Sequence, residues 1–123
     1  MKSCPKNLKK RSYSLLILNE IEGGLLVMLE SKFQSKLIKE IKDRFPGCEI
    51  MKNDPNYKQG FPDLTILYKD KWAVLETKRG EKAKRQPNQE YYVDKLNNMS
   101  FSRFICPENE KETINELNEF FNR

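Results

Sequence analysis

Residues 63–68 (Asp-Leu-Thr-Ile-Leu-Tyr) and 72–78 (Trp-Ala-Val-Leu-Glu-Thr-Lys) are rich in β-forming side chains and lie only three residues apart, across Lys69-Asp70-Lys71. That spacing predicts an antiparallel hairpin. Because strand side chains alternate, Leu64, Ile66, Ala73 and Leu75 share one face, and Leu67, Trp72 and Val74 share the other. A ribbon that is apolar on both faces has to be covered on both sides. Most of the architecture follows from that requirement.

The covering elements can be read from the rest of the chain. Over residues 29–44, Phe33, Leu37, Ile38 and Ile41 recur at helical spacing, opposed by Lys32, Lys36, Lys39, Lys42 and Asp43, and Pro46-Gly47 ends the helix. Pro87 opens a second helix with Val93 and Leu96 inward. Pro107, with Glu108 and Glu110, opens a third lined by Ile114, Leu117 and Phe121. Residues 48–52 and 101–105 read as short strands, and 53–60 as a loop rich in turn residues. The expected order is helix, three strands, helix, strand, helix: an α/β fold with a small mixed β-sheet flanked by helices.

The chain has 123 residues, a length suited to one domain, and the patterned part is assigned to residues 28–123. Residues 1–27 hold a short apolar run and a Gly23-Gly24 break, and they read as an N-terminal appendage of uncertain structure. Met28, just before the patterned helix, is a candidate natural start, which mass spectrometry of the native product reads directly. Cys4, Cys48 and Cys106 form an odd set without Cys-x-x-Cys spacing, as expected for free thiols in a reducing, cytoplasmic setting. The apolar runs 15–18 and 25–29 are shorter than a membrane span and are separated by Glu20 and Glu22, so no membrane partner is expected.

The sequence contains no histidine. Ser-His-Asp and Cys-His nucleophile pairs and His-ligated zinc are therefore excluded, leaving proton transfer to carboxylates, lysine, tyrosine or metal-bound water. Net charge is +5, but residues 1–27 hold five basic and two acidic side chains, so the remainder carries only +2. The informative feature is local: Arg79, Lys82, Lys84 and Arg85 follow Lys78 with only Glu81 against them, while Tyr57, Lys58 and Gln59 lie in the loop feeding Asp63. Both segments suit a phosphate backbone, and a solvated loop is the plainer alternative.

Register decides whether the charged residues of the hairpin meet. With Asp70-Lys71 at the centre of the turn, Asp63 is expected opposite Lys78 and Thr65 opposite Glu76. Asp63, Glu76 and Lys78 then gather at the open end of an apolar hairpin, where uncompensated charge is costly and a divalent cation such as Mg²⁺ would balance it. Two helices each turn a polar residue toward the same end. Leu37 and Ile41 fall within about 20° of Glu30 around the helix, whereas Glu40 is about 80° away. Gln89 shares the inward face of Val93 and Leu96.

Gly60-Phe61-Pro62-Asp63, then Glu76-Thr77-Lys78 thirteen positions after Asp63, with Glu30 upstream and Gln89 downstream, resembles the PD-(D/E)XK nuclease superfamily. The likeness is to its VRR-NUC and archaeal Holliday-junction-resolvase branches, which include small phage-encoded members, and it spans roughly residues 29–121. The resemblance implies a restriction-endonuclease-like core and a metal-dependent endodeoxyribonuclease. It casts Asp63 and Glu76 as metal ligands, with Thr77 adding its carbonyl and Glu30 assisting, around Mg²⁺ that Mn²⁺ can replace. Lys78 is cast as the catalytic lysine and Gln89 as the active-site glutamine. The implied partner is DNA, branched DNA included; a junction resolvase would act as a homodimer, and a phage-encoded member would work in the host cytoplasm. The competing expectations are an inactive nucleic-acid-binding module on a nuclease-like fold, and a protein-interaction domain using its last helix.

Overall fold

The computed structural model describes residues 5–123, with side chains from residue 23 onward. Cys4 and most of the appendage assigned to residues 1–27 lie outside the described side chains. The elements are α1 (Pro5–Arg44), β1 (Glu49–Lys52), β2 (Leu64–Tyr68), β3 (Lys71–Thr77), α2 (Pro87–Met99), β4 (Phe101–Ile105) and α3 (Glu110–Phe121). This is the α/β architecture, with the order helix, three strands, helix, strand, helix, that the patterning predicts. The four strands form one mixed sheet in the order β1-β2-β3-β4, antiparallel except for the parallel β3-β4 pair. That parallel pair requires a crossover, which α2 supplies.

One face of the sheet carries the main core. Leu64, Ile66, Ala73, Leu75, Phe101 and Ile105 meet Phe33, Leu37 and Ile41 of α1, Phe45 just after it, and Ile114, Leu117 and Phe121 of α3. Phe45, Tyr68 and Phe121 pack edge to face, with centroids 5.2–5.3 Å apart. On the opposite face, α2 sets Val93 and Leu96 over the β3-β4 half, where Val74 is buried. A single helix cannot span four strands, and the β1-β2 half of that face stays open: Met51 is 50% exposed and Leu67 42%.

Three expectations need correction. No break occurs at Gly23-Gly24; α1 runs through both, so the 27/28 boundary falls inside a helix. Each glycine costs about 1 kcal/mol relative to alanine, which weakens a helix flanked by Ile and Leu without ending it. The third helix begins at Glu110 rather than Pro107, because Asn109 ties the preceding turn together. Its Oδ1 accepts from the Cys106 N–H at 2.8 Å and its Nδ2 donates to the Phe104 carbonyl at 3.1 Å. The hairpin register also differs by two residues from the expected one, its turn centred one position earlier. Tyr68 pairs with Lys71 and Leu64 with Leu75, around a Lys69-Asp70 turn in which Lys69 takes φ 58°. Two-residue turns of this hand match the twist of the flanking strands.

Candidate functional site

The observed register moves Asp63 from opposite Lys78 to opposite Glu76, since the ladder carried one pair beyond Leu64↔Leu75 aligns these two. A shift of two residues preserves the face, so both carboxyls and Lys78 still project on one side. Asp63 is fixed from two directions. Its Oδ2 accepts from the Thr77 backbone N–H at 2.9 Å and from the Thr77 hydroxyl at 2.6 Å. Its backbone carbonyl accepts from the Asn53 N–H at 2.7 Å, and Asn53 Nδ2 also donates to the Pro62 carbonyl and to Thr65 Oγ1, each at 2.8 Å. The Pro62-Asp63 segment is thereby pinned to the end of β1.

Glu76 is 3% exposed. Burial, reinforced by the neighbouring Asp63 carboxylate, pushes its pKa up to about 8 despite the opposing pull of Lys78. Gln89 bridges the acid and the amine. Its Nε2 donates to Glu76 Oε2 at 3.2 Å, while its Oε1 accepts from Lys78 Nζ at 2.8 Å and from the Gln86 N–H at 3.0 Å. Lys78 Nζ also donates to the Lys84 carbonyl at 3.0 Å. Gln86 is the residue before α2, so the inward residue of this helix is Gln89. Glu30 lies where the charges of Lys78, Asp63 and Arg79 reach it, and burial is the main cause of its raised pKa.

The chain was compared with known proteins. No family model, curated protein or solved structure matches it. The functional reading therefore rests on the site's own chemistry.

That chemistry suits a divalent cation in one specific respect. Two acids, one of them buried, face each other across the open end of a hairpin, and the proton affinity of Glu76 records the electrostatic cost. No group of three or more Asp, Glu, Cys or His side chains converges on a single point among the described residues. The protein thus offers a sparse oxygen set centred on Asp63 and Glu76, the kind Mg²⁺ completes with water and substrate oxygens. Among the described residues no helix is long and apolar enough to cross a membrane.

The seven residues assigned to DNA contact are all exposed but do not form one patch. Arg79 and Lys82 line a cleft with Leu26 and Leu29 of α1. Arg85 stacks 4.0 Å over Phe104 on the α2 side of the sheet. Tyr57 and Lys58 line a cavity of about 390 Å³ with Asn53, Asp54 and Phe61, and Lys58 Nζ sits 5.7 Å over the Tyr92 ring. Tyr57 is 89% exposed, an aromatic side chain with almost none of its surface covered.

The sequence reading missed two residues of the site. Asn53 reads in the sequence as a loop residue, and only the fold joins it to Pro62 and Asp63, nine and ten residues further on. Gln34, on α1, donates from Nε2 to Thr77 Oγ1 at 3.0 Å. It lies one helical turn after Glu30, and that spacing could have revealed it.

Proposed function

We propose that this chain is a Mg²⁺-dependent endonuclease that hydrolyses phosphodiester bonds in DNA. The observation that carries the reading is the opposition of Asp63 and Glu76, with Glu76 buried and Lys78 held beside it through Gln89. Asp63 and Glu76 would hold the metal, the Thr77 carbonyl is a further candidate oxygen, and Glu30 lies at the margin of the set. Bound Mg²⁺ supplies polarisation of the phosphodiester and acidification of an attacking water. Lys78, oriented by Gln89 and the Lys84 carbonyl, presents an ammonium to a scissile phosphate or its attacking water. The exposed Tyr57 and Lys58 lie in the loop that leads to Asp63, where an aromatic face and a cation suit a base and its phosphate.

Purified protein incubated with plasmid, flap, four-way-junction and single-stranded DNA is expected to cut at least one of them with Mg²⁺ and none with EDTA. Asp63→Asn and Lys78→Ala should each lower the rate at least about 100-fold, the scale of losing an electrostatic catalyst. Cleavage that survives both substitutions overturns the assignment. Salt-sensitive DNA binding without metal-dependent cleavage would instead identify a binding module, as the core's small positive charge allows.

A further inference from the structure

Asp63 does not stand alone at the end of the hairpin: its carboxylate is the last member of a hydrogen-bonded chain that begins on α1. Gln34 Nε2 donates to Thr77 Oγ1 at 3.0 Å, and Thr77 Oγ1 donates to Asp63 Oδ2 at 2.6 Å. A hydroxyl has one proton. Because the amide of Gln34 donates into Oγ1, that proton is committed to Asp63. The Thr77 backbone N–H approaches the same carboxylate oxygen at 2.9 Å, so Oδ2 is held by two protein donors and Oδ1 is the oxygen left for a ligand. Thr77, the central member, is fully buried, while Gln34 and Asp63 are half-buried.

We propose that Gln34 is a positioning residue: through the Thr77 hydroxyl it fixes the rotamer of Asp63 and so ties α1 to the candidate metal site. Thr77 thus contributes through its side chain, in addition to any contribution from its carbonyl. For its consequence in metal binding this inference rests on the nuclease reading, but the ordering of Asp63 can be read without any metal.

The test uses the full chain and four variants: Gln34→Ala, Thr77→Val, their double, and the conservative Thr77→Ser. Three-bond couplings that report χ1 of Asp63 are measured on metal-free protein. One rotamer is expected in the parent and in Thr77→Ser, and averaging in Gln34→Ala and Thr77→Val. The double variant should be no more averaged than Thr77→Val, because members of one relay do not add. Mn²⁺ affinity should then fall about 3- to 10-fold in Gln34→Ala, the scale of one hydrogen bond, and about 10- to 100-fold in Thr77→Val. If Thr77→Val fails to fold, the half-buried Gln34→Ala still decides. An unchanged Asp63 rotamer in Gln34→Ala, or fully additive effects, overturns the relay. Averaging in the variants as expected, with a parent protein that binds no Mn²⁺, upholds the relay and removes the metal reading.

Discussion

At the scale of single residues, the most costly feature is Glu76, a carboxyl almost sealed from water and facing Asp63. With a pKa of about 8 it is protonated at neutral pH in the metal-free protein, and a cation must displace that proton to bind. Apparent Mg²⁺ affinity should therefore rise by up to about tenfold per pH unit below pH 8 and level off above it, the slope of one released proton. Calorimetric titration from pH 6 to 9 reads this directly, and a flat profile would dissociate Glu76 from the metal. Glu76→Gln, which mimics the protonated acid, should bind little Mg²⁺ at any pH. Glu76 and Lys78 were visible in the sequence because period-two alternation placed both on the face of Asp63. Gln34 and the Thr77 hydroxyl were not, because the Thr77 side chain alternates onto the core face and looks like packing, and only the folded contact shows that hydroxyl reaching around to Asp63.

Among the elements, the loop between β1 and β2 positions Asp63, and its geometry depends on Gly60. This residue has φ +88°, and a Cβ there would meet the Asn88 side chain at 2.6–2.8 Å. Gly47 has the same φ with open space around it. Gly60→Ala should cost about 1–2 kcal/mol from backbone conformation alone, plus the displacement of Asn88 at the start of α2, near Gln89. Gly47→Ala should carry the first cost only. Denaturant unfolding of the two variants measures the difference, and equal losses would show that Asn88 yields freely. The elements themselves were legible where periodicity is strong, as in residues 29–44 and 101–105. The hairpin register was not, because Lys69 adopting a left-handed conformation cannot be read from composition, and it sets the turn one position earlier, which replaces Lys78 with Glu76 opposite Asp63. The Gly23-Gly24 helix escaped notice for a related reason: glycine propensity is a weak prior that flanking residues override.

For the molecule as a whole, the acids with raised proton affinity set the direction in which stability responds to pH. Glu76 rises from 4.5 to about 8, chiefly by burial. Glu110 rises from 4.5 to about 7, chiefly through its hydrogen bond with the Glu40 carboxyl. Glu110 Oε2 is buried with no hydrogen-bond partner among the described residues, a setting in which a protonated carboxyl costs less than a carboxylate. Since both pKa values are higher folded than unfolded, the folded protein binds more protons between about pH 4.5 and 8. Their contribution to stability is complete below about 4.5 and is lost as pH climbs through 7 and then 8. For Glu76 the loss is on the order of a few kcal/mol. Without metal, the melting temperature should therefore fall steadily from pH 5 to pH 8.5. Glu76→Gln should flatten this fall over the whole range up to pH 8, and Glu40→Gln only the part below about pH 7. Mg²⁺ should raise the melting temperature strongly at pH 8.5 and barely at pH 5, because the cation takes the place that the proton holds in acid. A melting temperature that rises toward pH 8.5 without metal would mean that Glu76 and Glu110 ionise freely in the folded chain, and the electrostatic case for a cation beside Asp63 would go with it.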